Sequence, residues 1–423
     1  MPTRRTGPAR DPHAPRPIGG HRMLAAVHRA AVRPVQAFFR MEAASGILLL
    51  AAAVAALAWV NLAGAASYRA LLDARISIGV GPASAAFTAH QAINDGLMTV
   101  FFWLVGMEIK RELVVGELRT RSQALLPAIA ALGGMVVPAG IFAALNAGTA
   151  GAPGWGIPMA TDIAFCIGVL TLLRSRVPQA LVVFVTALAI FDDIGGILVI
   201  ALFYGTGLHA GWLAAAAALT AGLAWMSRSG VRSAAAYVGV GALLWWALHA
   251  GGVHATIAGV VLGLAIPARG GDAPVDGLIR RLHPWVAFGI VPLFALANAG
   301  VEVRGLGPSQ AMGRVATGVA VALLAGKPIG IVAFTLAAVR SGVAAMPGGA
   351  SVPKVLGVAI VAGIGFTVAL FVAALAYPAD RALLDQAKLG VLAGSLFAGV
   401  LGAAVLRCTA PWTDPVSSER ATR

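Results

Sequence analysis

The chain has 423 residues, of which 59% are hydrophobic and 11% charged. Ordinary globular domains carry about 25% charged residues. Too little polar side chain remains to cover a water-facing globule of this length, so a soluble enzyme and a disordered chain are both excluded. The net charge of +14, from 31 Lys+Arg against 17 Asp+Glu, is read as orienting a membrane protein and meeting anionic lipid, not as binding nucleic acid.

Residues 1–37 are rich in Arg and Pro and hold no compact apolar stretch, which predicts a basic cytoplasmic tail and no cleaved signal peptide. Recurrent apolar runs then predict spans at 38–60, 88–109, 124–145, 156–173, 179–203, 209–226, 233–249, 253–267, 284–301, 312–339, 355–376 and 386–407. Residues 38–407 read as one all-α polytopic domain of twelve spans, and 408–423 as a second cytoplasmic tail. Several spans are short, which implies tilt, breaks or burial inside a bundle.

Twelve spans put the N-terminal arginines on one side. Lys110, Arg111, Arg119, Arg121, Arg174, Arg176, Arg228, Arg232, Arg269, Arg280, Arg281, Arg340 and Lys354 fall on that same side. Loops 146–155, 204–208 and 250–252 carry no Lys or Arg, while Arg69, Arg75, Arg304, Arg381 and Lys388 run against the bias. The side rich in positive charge is the cytoplasmic one, so both termini are expected there. Cys166 and Cys408 stand apart and support neither a disulfide framework nor a zinc site.

Ionisable groups inside spans cost several kcal/mol unless they face a cavity or a partner. In span 2, Asn94 and Asp95 near the outer end read as a cap or a route for ion access. At the other end Glu108, Lys110, Arg111 and Glu112 cluster. Glu108 and Arg111 at i and i+3 predict a local pair, either on a solvated helix end or in a cation-attracting, pH-sensing group. In span 4, Gly156 and Pro158 precede Thr161 and Asp162. Pro removes a helix hydrogen bond, and unwound backbone at membrane depth lies inside protein or along a water-filled cavity. Thr161 offers an oxygen to a cation there, and Asp162 a helix N-cap.

Asp192 and Asp193 are adjacent in the middle of span 5. Neighbouring helix positions are about 100° apart, so one carboxylate can face a cavity while the other reaches a neighbouring helix. Two close carboxylates resist simultaneous ionisation, and a bound cation favours their charged forms. The pair therefore suits exchange of protons for a cation. His254 opens span 8 and His283 precedes span 9, and each is a structural histidine or a sensor titrating near neutral pH. Lys327 in the middle of span 10 needs a carboxylate or helix C-terminal carbonyls. Gly363-Ile-Gly-Phe-Thr367 interrupts span 11. Two interrupted spans in corresponding halves of a transporter point to a site near the midplane.

Taken in order, Ile93-Asn-Asp-Gly-Leu-Met, Val105-Gly-Met-Glu-Ile-Lys-Arg-Glu-Leu, Ala160-Thr-Asp-Ile-Ala-Phe and Ala187-Leu-Ala-Ile-Phe-Asp-Asp-Ile-Gly form the first part of a pattern. Gly252-Val-His-Ala-Thr, His283-Pro-Trp, Phe294-Ala-Leu-Ala-Asn-Ala-Gly, Gly326-Lys-Pro-Ile-Gly and Gly363-Ile-Gly-Phe-Thr continue it. Their conjunction over roughly residues 35–407 resembles the NhaA-type sodium–proton antiporters. The resemblance implies a transporter and not an enzyme, in a bacterial inner membrane. It also implies twelve helices with an inverted repeat relating spans 3–5 to spans 10–12, and two broken spans, 4 and 11, that cross near the midplane.

By the same resemblance, Asp193 is the main Na⁺ ligand, and Asp192 joins it or pairs with Lys327. Thr161 is a nearby oxygen ligand. Asp162 neutralises facing helix N-termini and Lys327 facing C-termini. Glu108, Arg111, His254 and His283 match the pH-sensing region. The family exchanges two protons for one Na⁺ or Li⁺, uses no cofactor, and dimerises through a β-hairpin after span 1. In this chain Ala74–Pro82, where that hairpin belongs, alternates weakly.

The chain departs from the family in the regulatory region. Ile279 stands where a glutamate precedes His-Pro-Trp, and a lysine near Gly-Val-His is replaced at Ala250 or a neighbour. A sodium- or proton-coupled symporter of a small organic solute is the alternative from the residues alone. An intramembrane aspartyl protease also uses two membrane carboxylates, but Gly363-Ile-Gly is followed by Phe366 where its second aspartate belongs.

Overall fold

At membrane depth every backbone N–H and C=O has to be paired within its own segment, and a chain of apolar runs meets that demand by forming helices. The computed structural model describes residues 44–80, 83–268, 274–304, 307 and 312–410. The tail expected over 1–37, the first residues of span 1 and most of the tail expected over 408–423 lie outside them. The described chain is mostly helical. It contains seven helices long and apolar enough to cross a membrane, or nine if each of two bent pairs is one span.

In chain order, α1 is Ala44–Leu72, α2 Ala89–Val114 and α3 Arg121–Asn146. A 3₁₀ segment, Ala152–Met159, leads into α4, Ile163–Leu172, at a bend of 40°. Then come α5 (Gln179–Phe203), α6 (Ala210–Arg228), α7 (Ala234–Ala250) and α8 (Ile257–Ala265). α9 starts as Pro274–Trp285 and continues through a π-turn, Val286–Ile290, into Val291–Asn298. α10 is Arg314–Arg340. α11 (Val352–Val361) and α12 (Phe366–Ala376) are bent by 50° about their break, and α13 is Arg381–Cys408.

Three boundaries differ from expectation for local reasons. α1 runs on past residue 60 to Leu72, turning at Gly64 (φ 107°), because Ala65–Leu72 favours helix. Its end is tied down by the Tyr68 hydroxyl, which donates to the Leu296 carbonyl at 2.7 Å. α8 starts only at Ile257, since Gly252 (φ 79°) turns the chain before His254. α9 starts at Pro274, ahead of the apolar run, as an amphipathic stretch that buries Val275 and Ile279.

Between α1 and α2 a hairpin does form. Strand β1 (Arg75–Val80) pairs antiparallel with β2 (Ala83–Thr88), with Arg75 opposite Thr88 and Ile76 opposite Phe87. Backbone pairing sets this register, so it was poorly legible in side-chain alternation. Thr88 then caps α2, accepting from the Gln91 N–H at 3.1 Å while the Gln91 side chain accepts from the Thr88 N–H at 2.9 Å.

Small residues let the central helices touch. α3 and α10 meet where Gly133 faces Gly330, and a Cβ on Gly330 would run into the Gly133 carbonyl. α2 and α8 meet in the same way, Gly263 lying against the backbone of Trp103 to Met107. Beside that crossing an apolar cluster joins Met107, Leu223, Tyr237, Leu244, Leu262 and Ile279, so Ile279 is a core side chain here. Leu202, Trp225 and Trp285 point outward, 74%, 68% and 75% exposed, which suits lipid contact, with tryptophans at the interface level.

Candidate functional site

The two broken helices touch at their breaks. Ala160 and Asp162 are extended, between the 3₁₀ segment and α4. The Asp162 N–H donates to the Ile364 carbonyl at 2.7 Å. Gly365 lies so close to the Ala160 carbonyl that an added Cβ would sit 3.1 Å from it. Unwound backbone leaves helix ends with free N–H and C=O groups, and the surrounding side chains meet them by sign.

Asp162 serves both N-termini at the crossing. Its Oδ1 accepts from the Phe165 N–H of α4 at 3.1 Å. Its Oδ2 accepts from the Thr367 N–H at 3.1 Å and the Thr367 hydroxyl at 2.6 Å on α12. A carboxylate at two positive dipole ends is favourably placed. The Ser395 hydroxyl of α13 takes the next two donors, from Gly365 at 3.2 Å and Phe366 at 3.3 Å.

The carbonyl ends are met unequally. The Lys327 ammonium, fully buried, donates to the Met159 carbonyl at the end of the 3₁₀ segment. The carbonyls ending α11 are taken by others: Val361 by the Cys166 thiol at 3.1 Å, Ala362 by the Thr161 hydroxyl at 3.1 Å, and Ile364 by the Asp162 N–H. Among the described residues Lys327 thus hydrogen-bonds one of the two C-termini.

Its other partner is Asp192, whose Oδ2 lies 3.0 Å from Lys327 Nζ with both side chains fully shielded. The Thr161 hydroxyl stands 2.6 Å from that same oxygen, and its single proton is shared between Asp192 and the Ala362 carbonyl. Asp192 Oδ1 is buried with no hydrogen-bond partner among the described residues. Asp193, 7% exposed, follows it in the helix and has no hydrogen bond or ion pair among the described residues. Buried polar atoms are nearly always paired. The unpaired Asp192 oxygen is thus the exception in a buried group otherwise satisfied by Thr161 and Lys327.

Two further groups lie away from the crossing. At the Glu108 end of α2, Glu108 Oε1 lies 3.3 Å from His283 Nδ1, and Arg111 Nε lies 3.1 Å from Asp276 Oδ1. The local Glu108–Arg111 pair expected from spacing is replaced by two contacts to α9, which runs alongside. His254 is not among them. It lies at the opposite end of α8, its Nε2 3.0 Å from the Tyr204 carbonyl. Asn94, read as a cap or a route for ion access, sits buried in a π-turn, Ala92–Leu97, and forms a reciprocal amide pair with Asn298 at 2.9 and 3.2 Å, with His90 alongside.

Sequence reading missed Ser395 and His90, and the roles of Thr367 and Asn298. The signal for Asn298 was present, a lone amide in the apolar run Phe294-Ala-Leu-Ala-Asn. Tyr204 and Tyr377 were also missed. Their hydroxyls donate to Pro153 O at 2.8 Å and Gly151 O at 2.6 Å, holding the segment that leads into the break.

Comparison with known proteins follows the same residues. A family model described as Na+/H+ antiporter 1 matches residues 36–406. A protein named Na(+)/H(+) antiporter NhaA from Anaeromyxobacter sp. (strain Fw109-5) is 60% identical over 421 residues, covering 90% of this chain and 92% of that one. Na(+)/H(+) antiporter NhaA 1 of Myxococcus xanthus is 51% identical, covering 90% and 94%. Na(+)/H(+) antiporter NhaA of Rhodospirillum rubrum is 48% identical, covering 88% and 98%.

Proposed function

This chain belongs to the Na+/H+ antiporter 1 family and is a multi-pass membrane protein that exchanges sodium for protons, and we propose that the exchange takes place at Asp192 and Asp193. The observation that carries this reading is the buried carboxylate of Asp192, held by Lys327 through one oxygen and left without a hydrogen bond on the other, with Asp193 next to it in the helix. Deprotonated Asp193, the free oxygen of Asp192 and the Thr161 hydroxyl hold Na⁺. Protons and Na⁺ compete for these oxygens, and alternating access follows because one site serves both. A cation on Asp192 also weakens its hold on Lys327, which couples occupancy to the helix end at Met159.

The finer family properties belong to this proposal too. Protons leave the site toward the cytoplasm, Na⁺ or Li⁺ replaces them, and protonation from outside expels it. At two protons per cation, one net charge crosses in each cycle, and 100 mV of membrane potential contributes about 2.3 kcal/mol per charge. Twelve spans in an inverted repeat, both termini in the cytoplasm of a bacterial inner membrane, and a homodimer joined through the β1–β2 hairpin complete the reading. Glu108, Arg111 and His283 regulate by pH, with His254 acting separately from the far end of α8.

The test is proton flux in inside-out vesicles with a pH-sensitive dye. Na⁺ or Li⁺ dequenches the wild type, and Asp193→Asn abolishes the response. Robust Na⁺-driven exchange in correctly inserted Asp193→Asn would remove Asp193 from the site.

A further inference from the structure

We propose that a lateral groove between α1, α4 and α13 holds an acyl chain of one anionic phospholipid from the cytoplasmic leaflet, with the lipid phosphate on Arg407, and that this lipid sets the rate of exchange through the crossing of the broken helices.

The groove is a cavity of about 550 Å³ with an almost wholly apolar lining, within the range of about 300–1,000 Å³ typical of small-molecule sites. Val54 and Leu57 of α1, Phe165 and Val169 of α4, and Leu396 and Val400 of α13 form its walls. From Arg407 to Leu392, both of which line it, α13 rises about 22 Å, past the middle of a hydrocarbon core about 30 Å thick. The length and the narrow apolar lining of the groove suit one extended acyl chain.

Charge fixes which lipid and which leaflet. Arg407 ends the groove, and its exposed guanidinium has no partner among the described residues. Arg176 is beside it, Nη1 donating to the carbonyls of Arg407 and Thr409, each at 2.8 Å. Arg174 lies two residues earlier, also exposed. A membrane-protein end carrying this much positive charge faces the cytoplasm, where the leaflet supplies anionic headgroups.

The floor of the groove links it to transport. Ile364 and Phe366 line it on either side of Gly365, and so does Ser395, whose hydroxyl takes the N–H groups that open α12. Phe165 and Phe366 meet edge to face, with centroids 5.2 Å apart. A chain lying in the groove thus presses on both broken helices beside the crossing, without touching the carboxylates.

Gly399 allows a direct test. A Cβ there meets only Ile364 side-chain atoms, the nearest at an ordinary 3.5 Å, so the Cβ of Gly399→Leu is accommodated and the rest of the side chain occupies groove space. The purified chain is titrated with phosphatidylglycerol or phosphatidylcholine and bound lipid is counted by native mass spectrometry. Exchange is then measured in vesicles with and without phosphatidylglycerol. The expected result is one phosphatidylglycerol bound in preference to phosphatidylcholine, largely lost in Gly399→Leu and weakened about fivefold in Arg407→Gln. Arg228→Gln, at the end of α6, serves as the matched control and binds like the wild type. Exchange by the wild type slows several-fold without phosphatidylglycerol, while Gly399→Leu no longer responds to it. Equal affinity of the wild type for both lipids overturns the proposal whether or not the variants fold. So do unchanged binding in both groove variants, or loss of a dimer in Gly399→Leu, which would make a second copy the occupant.

Discussion

Lys327 Nζ stands 3.0 Å from Asp192 Oδ2, both side chains closed off from solvent. Removing one partner of such a pair leaves an uncompensated buried charge, at a cost of about 3–5 kcal/mol, whereas removing both is nearly neutral. Lys327→Met is therefore expected to lower the melting temperature in detergent sharply. Lys327→Met combined with Asp192→Asn is expected to recover most of the loss. Additive losses in the four-protein cycle would show that the two groups are not coupled.

Asp162 offers one oxygen to α4 and the other to α12. Loss of a side-chain N-cap costs about 0.5–2 kcal/mol per helix. Asp162→Ala uncaps both helices, while Asp162→Asn keeps one acceptor oxygen and loses the charge. Thermal unfolding should rank wild type above Asn and Asn above Ala, with exchange reduced in both variants. An Ala variant as stable as the Asn variant would show that the caps contribute little.

Glu108 and His283 tie α2 to α9 as an ion pair only while the imidazole is protonated. The tie is therefore a charged one when the imidazole holds a proton and a neutral one when it does not. His283→Gln removes the charged tie throughout, so its exchange activity, scanned from about pH 6.5 to 9, is expected to extend further toward acid pH. Both groups are partly exposed, so the melting temperature should move little, by less than about 1 kcal/mol of stability. A pH profile superimposable on the wild type would exclude His283 from regulation.

The α3–α10 contact has no room for a side chain at Gly330. Overpacking a close contact costs about 1–3 kcal/mol or more. Gly330→Val should reduce folded yield and melting temperature, while Gly140→Val, on α3 with nothing within 4 Å of its added Cβ, should behave as wild type. Equal yields and melting temperatures for the two would contradict the close approach of α3 and α10.

What could be read from the sequence followed from the cost of each group in lipid. Asp162, Asp192, Asp193 and Lys327 stood out because a lone charge in an apolar run needs a reason, and Pro158 and Gly363 marked breaks because they deny the helix its bonds or its packing. Their partners did not stand out. Thr367 is 205 residues from Asp162, and an isolated threonine or serine is ordinary in a membrane helix. Arg111 misled for the opposite reason. A local partner at i−3 was available in Glu108, yet the fold brought Asp276 within 3.1 Å. The π-turns left no trace in the apolar pattern, although Ala92–Leu97 buries Asn94 and Ala322–Gly326 delivers Lys327.

The shared cap at Asp162 has a mechanical consequence. Because a single rigid carboxylate holds the first turns of α4 and α12 together, those two starts behave as one link and not as two levers on separate pivots. Any rearrangement of the crossing then requires the link to travel whole, with the compliance located at the far ends of α4 and α12.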